Sequence, residues 1–222
     1  MNEKMVFFGD LHLEEEALSF ILQYASRKKI NVVLNLGDES DFEDSPIILE
    51  NIYKRLMKWR DKSSDRRLIC VVGDQTEDVI PKLRRNYVGM DENGEVIENS
   101  IFKESNLIAV HSGQDVERAY SELLRSYHNT EPLLVLHGDV HAMSVYRQYR
   151  WLDDWQKVRF IKNGERQIKL KRGLIYWISP GCALWEIYKN HDFVGNAINF
   201  GIYDPKEKKV TLKSVVKPYQ KP

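Results

Sequence analysis

The sequence predicts an α/β domain whose first part alternates strands with helices and whose last part is mostly β, with two sheets packed together. Three observations predict it. Apolar runs ending in Gly-Asp alternate with helix-like stretches over the first 75 residues, two apolar runs in the middle end in histidine-bearing turns, and the last third alternates apolar and polar residues between turn signals.

Taken in order, the early strands are MVFFGD (residues 5–10), NVVLNLGD (31–38) and LICVVGD (68–74), each rich in Val, Ile, Phe and Leu as a buried strand requires. Between them, residues 14–29 carry Leu18, Ile21, Leu22 and Ala25 at helical spacing, with acids leading and bases trailing. Residues 45–59 place Pro46 at a helix start. Strand-helix alternation implies parallel pairing through right-handed crossovers. Residues 90–102 read as a hairpin around Asn93 and Gly94, NLIAVHSG (106–113) as a strand ending at His111, and 115–129 as a helix with Asp115 near its start. PLLVLHGDVH (132–141) is another buried strand with its polar residues at the carboxyl end. LIYWIS (174–179), NAINFGIYD (196–204) and KKVTLKSVV (208–216) complete the β-rich part, with a turn at Asp204-Pro205.

Composition narrows the class. Hydrophobic residues make up 42% and charged residues 30% of the 222, a globular balance without a disordered tail. Lys plus Arg equals Asp plus Glu at 33 each, so no net field favours nucleic acid or membrane. Cys70 and Cys182 stand far apart without paired spacing, which suits buried thiols rather than a disulfide. No apolar run approaches the roughly 18 residues of a membrane span, and the start lacks the long apolar region of a signal peptide. The expectation is a cytoplasmic protein without a membrane partner, folded as a single domain over residues 1–222.

In a parallel sheet, ligands gather beyond the carboxyl ends of the strands. Those ends carry Asp10 with His12, Asp38, Asp74, His111, and Asp139 with His141. Seven oxygen and imidazole donors are about what two divalent cations need when one carboxylate bridges them. Cysteine is absent from this set, which points to exchangeable ions rather than a structural zinc. In LHGDVH, an extended chain would place His137, Asp139 and His141 on one face. His128 and His191 have no candidate partners nearby in sequence and read as surface residues, and Asp41 belongs to a solvated acidic loop.

GDLHL, GDESD, VVGDQ, VHSG and LHGDVH, in this order and each after a strand, resemble the sequence blocks of the calcineurin-like metallophosphoesterase superfamily. SPGCAL (179–184) is similar to the late Pro-Gly turn of its small single-domain phosphodiesterases. The resemblance implies a four-layer α/β/β/α sandwich, two mixed sheets flanked by helices, with two metals at the strand ends. It implies that Asp10, His12 and His141 bind the first metal, that Asp38 bridges, and that Asp74, His111 and Asp139 bind the second. Three positions depart from the pattern: Asp74 replaces asparagine, Asp139 replaces the first histidine of G-H-x-H, and Gln75 replaces the histidine that contacts phosphate.

Four carboxylates favour harder ions, manganese first, with magnesium, iron, nickel or zinc as alternatives. They also weaken the ions' acidity toward water, so a slower enzyme or an alkaline optimum is expected. The implied reaction is in-line attack of a metal-bridging hydroxide on a phosphodiester or an activated phosphomonoester, with Gln75 orienting a phosphate oxygen but unable to protonate the leaving group. The substrate would be a small phosphoester or a nucleotide. Two other readings compete. The altered second site would suit a catalytically weak scaffold that binds proteins. Residues 147–172, with nine basic side chains and Tyr149, Trp151, Trp155 and Phe160 among them, would suit a single-strand nuclease. The plainer expectation for that segment is an inserted amphipathic hairpin turning at Asn163-Gly164.

Overall fold

The computed structural model describes residues 3–12, 14–38, 46–71, 73, 87–88, 101–111, 131–149, 156–160, 164–189 and 192–218. The chain begins as β1 (Met5–Phe8), α1 (Glu15–Arg27), β2 (Val32–Asn35), α2 (Pro46–Arg60), β3 (Arg67–Val71) and β4 (Tyr87–Val88). Strands follow: β5 (Phe102–Glu104), β6 (Leu107–Val110), β7 (Leu133–His137), β8 (Ser144–Tyr149), β9 (Gln156–Phe160), β10 (Gly164–Lys169), β11 (Leu174–Ser179), β12 (Leu184–Lys189), β13 (Asp192–Asp204) and β14 (Lys209–Pro218).

They form two mixed sheets. The larger runs β10-β14-β13-β1-β2-β3-β4, with β12 also on β13, and the smaller runs β5-β6-β7-β11-β8-β9. Within the first, β1, β2, β3 and β4 are parallel neighbours, as strand-helix alternation requires. The chain is thus an α/β sandwich of two mixed sheets.

Side-chain alternation explains the layers. Met5 and Phe7, Val32 and Leu34, and Ile69 and Val71 face the core between the sheets, where they meet Leu107, Ala109, Leu134, Leu136, Tyr176 and Ile178 of the second sheet. The intervening Val6, Phe8, Val33, Leu68 and Cys70 face the helices. There α1 buries Ala17, Leu18, Ile21, Leu22 and Ala25 while α2 buries Ile52, Tyr53, Leu56 and Trp59. Each aliphatic side chain so buried contributes about 1.5–3 kcal/mol, far more than the exposed Arg55–Glu15 pair that links the two helices. The outer face of the second sheet carries buried Ile108, Val110, Leu133, Val135, Ile175 and Trp177. The helix expected over 115–129 lies outside the described residues, as does the turn at Asn93-Gly94.

The aromatic β1 fits at one place only because its partner is glycine. Phe7 stands opposite Gly201, and a β-carbon there would come within 1.9 Å of the Phe7 ring. The ring therefore lies over bare backbone and fills the inter-sheet core.

The expected hairpin at Asn163-Gly164 is corrected. β9 pairs with β8 at the edge of the smaller sheet, whereas β10 pairs with β14 at the edge of the larger one. A two-residue Asn-Gly signal is local, but β10 gains a six-residue ladder against β14 and sends Ile168 into the inter-sheet core. Each sheet takes one edge strand, so the segment bridges two sheets instead of folding on itself. Cys70 and Cys182 are both buried, as expected, and are not joined in a disulfide. Among the described residues, no helix is long and apolar enough to cross a membrane.

Candidate metal centre

In-register parallel pairing brings the strand ends level. Phe8 stands beside Asn35 and Val110 beside His137, so the residues that follow these four leave the sheets at one rim. Backbone bonds then hold the loops together. Asp10 N–H donates to the Gly37 carbonyl at 3.1 Å, and the Asp38 carbonyl accepts from Leu11 N–H at 2.7 Å and His12 N–H at 3.1 Å. Cys182 N–H donates to the His141 carbonyl at 3.1 Å, which ties the late Pro-Gly turn to the loop after β7.

Two clusters of donor atoms result, each with its atoms within 4.8 Å of one another: Asp10, Asp38 and His111, all buried, and His12, His141 and Cys182. In the first, His111 Nδ1 lies 2.7 Å from the Leu36 carbonyl. A proton there fixes the tautomer that leaves Nε2 for a cation. Nε2 is 3.1 Å from Asp38 Oδ2, close enough for an ion pair when the imidazole is charged, and is otherwise without a hydrogen-bond partner. Asp10 Oδ1 accepts the Asp139 N–H at 2.9 Å, while Asp10 Oδ2 is buried without a hydrogen-bond partner. Leaving a buried polar atom unsatisfied costs about 1–3 kcal/mol, and a divalent cation satisfies a carboxylate oxygen and an imidazole nitrogen together. The residues therefore fit a metal. In the second cluster the Nε2 atoms of His12 and His141 are 3.3 Å apart.

The electrostatics agree with a buried site of mixed charge. Burial pushes the Asp10 carboxyl up, helped by the nearby Asp38 charge and opposed by the Asp139 N–H, His111 and His141. For His111 burial pulls down, but Asp38, the Leu36 carbonyl and Asp10 outweigh it and hold the imidazole at about 9. Its folded value lies above the ordinary 6.5, so in metal-free protein the His111–Asp38 pair stabilises fully below about pH 6.5 and is lost as pH rises through about 9. Thermal unfolding of metal-free protein from about pH 6 to about pH 10 should show that decline. His111→Gln should flatten it, and an unchanged slope in this variant would refute the assignment.

Backbone strain concentrates at the rim. Asp10, His12, Asp38 and Asp139 all have left-handed φ values of 49°, 44°, 52° and 58°. Such conformations cost non-glycine residues free energy and persist where surroundings impose them, commonly at functional sites. Glycines supply the close approach. A β-carbon on Gly73 would sit 2.3 Å from both Asp38 N and Oδ1, and one on Gly37 would sit 2.8 Å from His111 Nδ1.

Five of the seven expected ligands, Asp10, His12, Asp38, His111 and His141, fall in these two clusters. Asp139 lies on the same rim through its N–H, but its side chain is exposed and belongs to neither cluster. Asp74 and Gln75 lie outside the described residues, as do Asp41, His128 and His191. The expected convergence of His137, Asp139 and His141 does not occur, because the strand stops at His137 and the chain turns left-handed at Asp139. His137 instead packs edge-on against Trp177 of the outer face, ring centroids 6.4 Å apart, and burial holds its pKa down to about 4. It is a neighbour of the site. Cys182 is legible in the sequence only as a buried thiol, since its approach to His12 and His141 depends on a turn distant in the chain.

Fold and rim together bring the strand-end loops of two mixed sheets around two clusters of donor atoms. The chain is similar to the crystal structure of a metallophosphoesterase from Sphaerobacter thermophilus, with a TM-score of 0.56 at 15% identity over 97% of this chain and 89% of that one. It is also similar to the protein TT1561 of Thermus thermophilus, with a TM-score of 0.51 at 10% identity over 96% of this chain and 99% of the other. No protein-family model and no curated protein matches the sequence. At these identities the likeness establishes the fold.

Proposed function

We propose that this chain is a metal-dependent phosphoesterase that hydrolyses phosphodiesters, or phosphomonoesters with good leaving groups, and that manganese serves it best. The observation that carries this reading is the buried Asp10–Asp38–His111 cluster, with unsatisfied Asp10 Oδ2 and His111 Nε2, beside the His12–His141 pair. Asp10, Asp38 and His111 would hold one ion and His12 and His141 a second, with Asp38 shared and Asp139 reaching the rim from outside. Two divalent ions so placed would supply a water-derived nucleophile near neutral pH and offset charge on the phosphoryl oxygens.

The chain's own groups do the rest. The Asp139 N–H keeps Asp10 Oδ1 occupied, so that Asp10 presents only Oδ2. The Leu36 carbonyl keeps the His111 proton on Nδ1. His141 is exposed and His12 partly so, which leaves that side of the centre open to an extended phosphodiester. Gln75 would orient a phosphate oxygen through its amide, and with no imidazolium at that position the leaving group must depart without strong acid help. A small phosphoester or nucleotide fits this reading, as does a cytoplasmic location.

The test is hydrolysis of bis-p-nitrophenyl phosphate and p-nitrophenyl phosphate with added manganese, magnesium, nickel or zinc. Faster turnover of the diester, greatest with manganese, is expected. Absence of turnover with every metal would overturn the proposal.

A further inference from the structure

We propose that the Cys182 thiolate is a metal ligand, completing with His12 and His141 a soft, sulfur-bearing half of the centre beside the hard, carboxylate half formed by Asp10, Asp38 and His111. The inference rests on the metal-dependent reading above and deepens it.

The geometry of the two imidazoles comes first. Their Nε2 atoms lie 3.3 Å apart. Two nitrogens on a tetrahedral ion at about 2.0–2.1 Å are separated by about 3.3–3.4 Å, so the pair is already spaced as one edge of a coordination tetrahedron. Cys182 Sγ lies within 4.8 Å of a ring nitrogen of each histidine. A tetrahedral ion requires about 3.6 Å between sulfur and nitrogen, so binding would draw the sulfur in by up to about 1 Å.

The backbone around Cys182 is fixed in a way that holds the thiol there. Its N–H donates to the His141 carbonyl, its own carbonyl accepts Asn199 Nδ2 at 3.0 Å, and Cys182 forms a parallel bridge with Gly9, directly before Asp10. Gly181 has a φ of 74°, and a β-carbon there would meet Met143 N at 2.6 Å, so the turn can lie this close to the loop after β7 only with glycine. The next N–H, of Ala183, is shared between the carbonyls of Gly9 and Asp10. One turn thereby touches the segments that carry His12, His141 and Asp10. Asp10 Oδ2, buried and without a hydrogen-bond partner, is the second sign that this rim is arranged around a cation.

Cys182 is buried whereas His141 is exposed, so the sulfur would stand at the back of the ion and the remaining position would open to solvent. That is the arrangement of an exchangeable, substrate-accessible ion, not a closed structural one. Thiolate and imidazole select zinc, cobalt or iron(II), while the carboxylate cluster selects manganese or magnesium. The two halves should therefore load different metals, and the overall manganese preference belongs to the Asp10–Asp38–His111 half.

The direct test is cobalt(II) loading of chelator-stripped full-length protein, followed by absorption. Wild-type protein and Cys70→Ser should both show visible d–d bands and a near-ultraviolet thiolate-to-cobalt charge-transfer band. Cys182→Ser should keep the d–d bands and lose the charge-transfer band, with zinc affinity falling by about 10–100-fold and manganese affinity unchanged. Bound cobalt without that band in wild type, or with an undiminished band in Cys182→Ser, would overturn the thiolate assignment and leave the metal reading intact. No cobalt binding at all would overturn both. Should Cys182→Ser fold poorly, X-ray absorption of zinc-loaded wild type decides alone: a sulfur scatterer at about 2.3 Å supports the ligand, and a shell of nitrogen and oxygen only refutes it.

Discussion

Asp38→Ala is expected to reduce kcat/KM for bis-p-nitrophenyl phosphate by about a thousandfold or more while leaving the protein folded. Asp38 is a buried carboxylate of the rim, in one cluster with Asp10 and 3.1 Å from His111 Nε2. Removing it takes away negative charge that would hold both ions, and several kcal/mol of charge stabilisation lost from the transition state corresponds to about that factor. The loop should survive, because the Asp38 carbonyl still accepts the Leu11 and His12 N–H groups. The same variant should return His111 toward an ordinary imidazole pKa, since Asp38 is the leading cause that raises it. Kinetics with saturating manganese and a thermal unfolding curve check the pair of outcomes. Activity within about tenfold of wild type, or about 1.4 kcal/mol, would remove Asp38 from the centre.

Gly138→Ala should be nearly as severe although it adds a single methyl group. The added β-carbon would lie 2.6 Å from His111 Nδ1, 2.8 Å from the Leu36 carbonyl oxygen and 3.2 Å from Asp10 Oδ1. Two of these atoms form the hydrogen bond that sets the His111 tautomer, and the third belongs to the Asp139–Asp10 contact. None is the far end of a flexible side chain, so His111 or the loop must move. Misplacement of about 1 Å can cost on the order of a hundredfold in rate, and overpacking costs about 1–3 kcal/mol of stability. Steady-state kinetics and urea unfolding measure both losses. A fully active Gly138→Ala would show that the His111–Leu36 contact does not position the site.

Much of this structure is legible in the sequence because period-2 burial and parallel pairing leave few choices. Runs such as VVLN and LLVL are apolar on both faces, which suits a buried strand between two layers, and parallel strands deliver their carboxyl ends to one rim. Asp10, Asp38 and His111 could therefore be placed together from spacing alone. Three features were hidden, each for a physical reason. The separation of β9 from β10 depends on which sheet edge offers the longer ladder, a tertiary choice that the local Asn-Gly signal does not encode. The left-handed turn at Asp139 breaks the two-residue alternation of LHGDVH, so equal spacing in sequence did not become one face in space. Cys182 reaches His12 and His141 through a turn about 40 residues beyond His141, and no short motif carries that proximity.

The central claim is that this rim is a two-metal centre organised around Asp38. Calorimetric titration of chelator-stripped, full-length protein with manganese tests it most directly. Wild-type protein should take up one high-affinity manganese ion per chain, in the Asp10–Asp38–His111 half, and a second divalent ion when zinc follows, and Asp38→Ala should lose high-affinity manganese uptake. Proton release should accompany uptake below about pH 9, because His111 must give up its Nε2 proton to bind. A wild-type protein that binds no divalent ion, or an Asp38→Ala protein that binds as wild type does, would contradict it.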